Sequence, residues 1–404
     1  METKITRYFK LICLACFAFL SCKAQTIAIK DFSDLPQPVK TVEVGAVHFF
    51  HYEKHLKGKR VALLVNQTSV VGNSNTHLLD TLLKRKINIV KIFSPEHGFR
   101  GNAEAGEKVA NNKDDKTGLP IISLYGSNKM PSKESLQDVD VLIFDIQDVG
   151  ARFFTYISTM HYAMQACAAY GKTFIVLDRP NPNGHYVAGP VLDLKFKSFV
   201  GMHPIPIVHG LTVGELAMMI NGEHWLDSNR TCSLIVVPAK NYHHKMDYIL
   251  PVKPSPNLPN TQSILLYPTL CLFEGTTISS GRGTDKPFQI FGAPDSALGT
   301  YTFTPISIVG VAKNPMHENK LCYGQDLSAS KEKFTLKYLI ECYQKSTDKE
   351  HFFIPFFSKL AGNDILAKQI KAGESPESIM QSWVADVENY KLKRKKYLLY
   401  KDFE

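Results

Sequence analysis

The chain has 404 residues, 44% of them hydrophobic and 21% charged, with a formal net charge of +9. That length accommodates two domains and a large core, and the composition is ordinary for a globular protein. Basic residues are scattered except at 391–396 (KLKRKK), and no zinc-finger, helix-turn-helix or RNP pattern occurs. These features argue against nucleic acid as a partner and leave a bias toward anionic ligands.

Lys4, Arg7 and Lys10 precede an apolar stretch at 11–20, which ends at Ser21-Cys22. A basic start and a short apolar run predict a secretory signal, too short to span a membrane. A cysteine after a small residue at that point predicts a lipoprotein signal over 1–22, with Cys22 as the lipidated first residue. Ordinary cleavage near Ala24-Gln25 is the alternative. The expectation is export, as a periplasmic or membrane-anchored lipoprotein that touches the membrane only through Cys22. A polar linker over 23–44 follows. Five cysteines lie beyond Cys22, widely spaced and without a CxxC pair, so neither a disulfide framework nor a zinc site is expected.

Four apolar, β-branched runs come next, each ending in polar residues: 60–66 (RVALLVN), 88–97 (NIVKIFSPEH), 139–148 (VDVLIFDIQD) and 173–182 (TFIVLDRPNP). Such runs read as strands buried on both faces. Helical patterns at 75–86 and 153–170 make them parallel strands in βα units. Ligands of such sheets bind beyond the carboxyl ends of the strands. Those ends carry Asn66, Glu96, His97, Asp145, Asp148, Asp178, Arg179 and Asn181. Short strands are expected at 121–125, 204–208 and 234–237, and a helix at 212–223 with Thr212 and Glu215 as a capping box. The proline-rich stretch 251–268 reads as an extended connector. A Gly/Ser/Thr-rich segment, 270–285, follows, then a strand-like run at 306–311 and helices near 335–343 and 376–392. The reading is α/β: a Rossmann-like parallel-sheet domain over 45–235 and a smaller α+β domain over 236–404.

Several side chains are candidates for chemistry. Glu96 lies in a Pro-Glu-His-Gly turn, where a partly desolvated carboxyl can act as a general acid; His97 is a substrate contact or a structural imidazole. Asp145 and Asp148, with Arg152 close behind, form an ion-paired loop, a carboxylate pair or a cation site. Asp178, Arg179 and Asn181 combine an acid, a fork-shaped cation and an amide, a set that suits sugar hydroxyl, acetamido and carboxylate groups. Glu274 and Arg282 lie among glycines in the later segment and are placed to close over the strand ends. GxGxxG, Walker, HExxH and GxSxG patterns are absent. What remains suits carbohydrate chemistry by two carboxyl groups, with no cofactor.

The stretches SPEHGFRG (94–101), FDIQDVGARFFTY (144–156), DRPNPNG (178–184), HGLTVGELA (209–217), FEGT (273–276) and SSGRGTDKPF (279–288) resemble the NamZ-like exo-β-N-acetylmuramidases. The resemblance runs in order from about residue 45 to the end. It implies release of N-acetylmuramic acid from the non-reducing ends of peptidoglycan-derived muramyl saccharides, in a cleft between a Rossmann-like and a smaller domain. On this reading Glu96 is the general acid/base. Asp145, Asp148, Glu215 and Glu274 compete for the second role, with Glu215 least favoured because it fits a helix cap. Asn66, His97, Arg152, Asp178, Arg179, Asn181, His209 and Arg282 are expected to bind substrate, and Arg152, Arg179 or Arg282 to pair with its lactyl carboxylate. The alternatives are a non-catalytic lipoprotein that binds cell-wall sugars, and a metal-dependent hydrolase using Asp145, Asp148 and His97.

Overall fold

The apolar runs assemble into one sheet in the computed structural model, which describes residues 41–72, 75–99 and 112–404. The expected leader with Cys22, most of the expected linker and much of the loop after β4 lie outside the described residues. The strands are β1 (Val61–Val65), a hairpin of β2 (Val70–Val71) and β3 (Thr76–His77), β4 (Ile89–Ser94), β5 (Asn112–Lys113), β6 (Pro120–Ser123), β7 (Val141–Asp145), β8 (Thr173–Leu177) and β9 (Ser233–Val237). The main sheet runs β5-β6-β4-β1-β7-β8-β9, and only β5 with β6 is antiparallel. Apart from β5, its strands taken in chain order lie in the doubly wound order 3-2-1-4-5-6.

Alternation along each strand explains why the runs are continuously apolar. Ala62, Leu64, Leu142, Phe144, Phe174 and Val176 pack on one face with the helices Tyr156–Tyr170 and Val213–Gly222. Leu63, Val65, Ile143, Ile175 and Leu177 pack on the other with the helices Phe49–Leu56 and Leu78–Lys84. Side chains of successive residues point to opposite faces, so burial of both faces leaves no polar position.

The smaller α+β domain carries an antiparallel sheet, β10 (Ile290–Ala293), β11 (Tyr301–Phe303) and β12 (Cys322–Asp326), in the order β10-β12-β11. Its Phe273, Phe291 and Phe352 belong to the same apolar cluster as Phe144 and Phe174 of the main sheet. Val42–Glu404 therefore pack as one unit. No helix among the described residues is long and apolar enough to cross a membrane.

Four local expectations are corrected. The connector 251–268 is irregular, with bends and a turn, only in its first half: Asn260 caps a helix, Thr261–Leu270, that contains Pro268. Proline removes the N–H that would bond Ile264 O, and Asn183 Nδ2 donates to that carbonyl instead, at 3.1 Å. Residues 204–208 form no strand, because Pro204 and Pro206 lack N–H donors; Val208 makes only isolated bridges to Ala151 and Ala188. The run 306–311 is a turn closed by an Ile308–Ala312 bridge, with Gly310 at φ 76°. The last helix divides at Trp383 into Pro376–Ser382 and Val384–Arg394. The domain boundary expected near 235 falls inside β9, which pairs with β8 through Val237.

Candidate active site

Strand β4 delivers Glu96. Beyond Ser94 the chain makes a turn closed by Gly98 N–H donating to Pro95 O at 3.0 Å, with His97 at φ 68° and Gly98 at 75°. A non-glycine residue held in the left-handed region is uncommon and persists where its surroundings over-determine it. Glu96 is 9% exposed. Its Oε2 accepts a hydrogen bond from Thr155 Oγ1 at 2.6 Å, from the residue that opens the helix Tyr156–Tyr170.

The second acid comes from the smaller domain. The helix Thr261–Leu270 runs into a 3-10 turn, Cys271–Gly275, that carries Glu274. Arg282 Nε donates to Glu274 Oε1. The Arg282 guanidinium carbon lies 4.9 Å from the centre of the Phe288 ring, a cation–π contact that fixes its plane. Burial acts to lower the pKa of Arg282, but the adjacent Glu274 carboxylate outweighs it and holds the guanidinium above its usual value.

These groups meet. Glu96, His97, Thr155, Glu274 and Arg282 line one cavity of about 220 Å³, walled by aromatic rings that include Phe153, Tyr267 and Phe288. Glu96 and Glu274 are the carboxylates among its described lining residues, and Arg282 is the arginine. Drug-sized ligands usually occupy about 300–1,000 Å³. A smaller, ring-lined space with a few convergent polar groups fits a single sugar.

The other expected residues are held in structural contacts. Asp145 takes two bonds from Arg179, Nε–Oδ1 at 2.6 Å and Nη2–Oδ2 at 3.0 Å, and Arg179 Nη2 also reaches Val70 O at 3.0 Å. Ser69 Oγ donates to Asp145 O, Gln147 N to Thr68 Oγ1 at 3.0 Å, and Thr68 Oγ1 to Asn66 Oδ1 at 2.6 Å. The crevice between β1 and β7, where such sheets often bind a ligand, is thus filled by the protein's own side chains. Asp178 accepts from Arg179 N, Thr212 Oγ1, Gly214 N and Tyr400 Oη, at 2.6–2.9 Å. It caps the helix Val213–Gly222, and a Cβ at Gly214 would lie 2.7 Å from its carboxyl carbon. Burial, then the charge of Glu215, pushes Asp178 up to about 6, partly offset by those bonds. Glu215 completes the expected capping box and takes a bond from His244 Nε2 at 3.0 Å.

Arg152 has no carboxylate partner among the described residues. It is fully buried and donates to the carbonyls of Pro190, Ile205, Leu360 and Ala361 at 2.7–2.9 Å, which ties the smaller domain to the larger. Burial lowers its pKa to about 9. Asn181 spends its amide on Leu211 O and Asn183 N, both at 2.8 Å. His209 accepts from Leu211 N at Nδ1 and points Nε2 at Asp148, 3.6 Å away. Asp148 Oδ2 accepts from Gly150 N at 2.7 Å. Neither Asp148 nor His209 lines the cavity. Among the described residues no group of three or more His, Cys, Asp or Glu is placed to hold a metal ion. The five described cysteines are buried and unbridged.

Sequence reasoning did not single out Thr155, Asn257 or Phe288, which line the same cavity. Thr155 lay inside the helical pattern expected over 153–170, and the helix opening after it, at Tyr156, is what makes it a cap-position hydroxyl; nothing in its spacing points to Glu96.

Two family models match the chain: the N-terminal part of the exo-beta-N-acetylmuramidase NamZ over residues 61–262 and its C-terminal part over 265–400. The peptidoglycan beta-N-acetylmuramidase NamZ of Bacillus subtilis (strain 168) is 41% identical over 374 residues, covering 86% of this chain and 89% of that protein. A DUF1343 family protein from Bacteroides fragilis NCTC 9343, solved at 1.30 Å, is 51% identical with a TM-score of 0.83, over 90% of this chain and 100% of that one. A second from the same organism, solved at 1.65 Å, is 31% identical with a TM-score of 0.75, over 91% of this chain and 100% of that one. The chain belongs to the NamZ exo-β-N-acetylmuramidase family.

Proposed function

We propose that this protein removes N-acetylmuramic acid from the non-reducing ends of peptidoglycan fragments, in the cavity where its two domains meet. Glu96 is the general acid/base and Glu274 the second carboxyl. The observation that carries the reading is the presence of these two acids, from separate domains, in one ring-walled cavity. Glycoside hydrolysis needs one group to protonate the leaving oxygen and another to attack the anomeric carbon or to activate water. Glu96 is nearly buried and held by a hydroxyl, which aims its carboxyl. Glu274 lies against the Arg282 guanidinium, whose Nε–H donates to Oε1 and fixes where the carboxyl points. Asp145 and Asp178 are absent from the roles because their oxygens are committed elsewhere.

The test is incubation of the purified protein with a disaccharide of N-acetylmuramic acid on N-acetylglucosamine, with products identified by mass. Free N-acetylmuramic acid is expected from the unmodified protein and not from Glu96→Gln. Stoichiometric binding without turnover would favour the sugar-binding alternative. Proton NMR of the first product gives the stereochemistry: carboxyl groups about 5–5.5 Å apart retain configuration, and a spacing of about 6.5–9.5 Å inverts it.

Export is part of the proposal, supported by Lys4, Arg7, Lys10 and the apolar run that ends at Cys22. Metabolic labelling with palmitate, lost in Cys22→Ser, is the expected result.

A further inference from the structure

The three arginines expected near a substrate anion differ in what their donors do. Arg152 gives both terminal nitrogens to backbone carbonyls, and Arg179 gives its fork to Asp145 and Val70 O. Neither lines the cavity. Arg282 does, and only its Nε is committed, to Glu274. Its Nη1 and Nη2 make no hydrogen bond to a described residue, and its side chain is 25% exposed. Phe288 holds the plane of the group, and Glu274 keeps it charged. A guanidinium carries five donors in a fixed fork, so one edge can hold Glu274 while the other meets a second carboxylate in two parallel bonds.

N-acetylmuramic acid differs from N-acetylglucosamine by one group, a lactyl ether at O3 that ends in a carboxylate. We propose that the open Nη edge of Arg282 binds this lactyl carboxylate and thereby selects the muramic sugar. The inference rests on the functional reading above and adds the residue that sets specificity. A site with an oriented donor rejects the analogue that lacks the acceptor far more strongly than an apolar pocket rejects a missing methylene, because its own polar group is left unpaired. Lysine does not substitute, since a single ammonium cannot hold two carboxylates edge to edge.

The experiment is a two-by-two comparison of kcat/KM. The unmodified protein and Arg282→Gln are each given 4-nitrophenyl β-N-acetylmuramide and the same glycoside with its lactyl carboxyl converted to the primary amide. The unmodified protein is expected to prefer the acid by at least about a hundredfold, below the roughly 10⁴–10⁵ that an oriented polar contact can reach because the amide keeps one acceptor oxygen. The variant is expected to treat the two within about threefold, whatever its absolute rate. Arg282→Lys, which keeps the charge beside Glu274, supplies the same ratio should Arg282→Gln turn over too slowly to measure. It too is expected to lose most of the preference. Equal rates on acid and amide by the unmodified protein, or an undiminished preference in either variant, would overturn the assignment and leave the glycosidase reading standing. No turnover of either glycoside by the unmodified protein would overturn the functional reading instead.

Discussion

Asp145 and Arg179 form the most deeply buried ion pair of the sheet, with side chains 0% and 1% exposed and two bonds between them. Asp145→Asn keeps the shape but turns an accepting oxygen into a donor that faces Arg179, leaving a guanidinium buried without its anion. Breaking a buried pair from one side costs about 3–5 kcal/mol. That is a large part of a domain's usual 5–15 kcal/mol. With an m-value of about 3 kcal/mol per molar urea, the unfolding midpoint should fall by about 1–1.7 M. Asp145→Leu combined with Arg179→Met removes both charges and should restore most of the loss, to within about 2 kcal/mol of the parent, since apolar replacement of a buried pair is often neutral. The assay is urea unfolding followed by tryptophan fluorescence, with turnover of a chromogenic muramide measured in parallel and referred to the folded fraction. Turnover per folded molecule should be retained. An unchanged midpoint with turnover abolished would refute the argument and return Asp145 to the list of chemical groups.

Other outcomes follow from the same geometry. Thr155→Val removes the hydroxyl that aims Glu96, and loss of one hydrogen bond of about 1.5 kcal/mol should lower kcat by about tenfold with little change in melting temperature. His161 contacts His203 at 3.0 Å, and burial lowers its pKa to about 4. The folded state then binds fewer protons than the unfolded chain between pH 6.5 and 4. The stability this group contributes is complete above pH 6.5 and is lost as pH falls through 4, by about 3 kcal/mol in all. Urea midpoints compared at pH 7 and pH 4.5 should show a smaller acid loss in His161→Gln than in the parent. Treatment with EDTA should leave turnover unchanged; loss restored by a divalent ion would promote the metal-dependent alternative.

The sheet was legible because its central strands are buried on both faces, and 61–65, 141–144 and 174–177 are unbroken apolar runs. The edge strand β9 was harder: Ser233 is exposed and Leu234 to Val236 are only partly buried, and a proline-rich stretch follows, so its texture resembled a new domain. The helix Thr261–Leu270 was hidden by prolines, and what permits it is a side chain from elsewhere, Asn183 on Ile264 O. The same limit applied to the site. Polar residues at strand ends were read as ligand groups, and Glu96, His97, Glu274 and Arg282 do share a cavity. Asp178, Arg179, Asn181 and Arg152 have the same residue types but spend them on a helix cap, a buried pair and backbone carbonyls. Composition specifies donors and acceptors; only the three-dimensional partner list says which are already used.

The pairing of Glu96 with Glu274 is tested most directly by the turnover of 4-nitrophenyl β-N-acetylmuramide by Glu274→Gln, with Glu96→Gln assayed beside it. Both variants should melt like the parent and lose about 100-fold or more in kcat, the lower end of what a positioned acid or base contributes. Parent-like turnover by a folded Glu274→Gln would contradict the account, for the cavity would then hold only one working carboxyl.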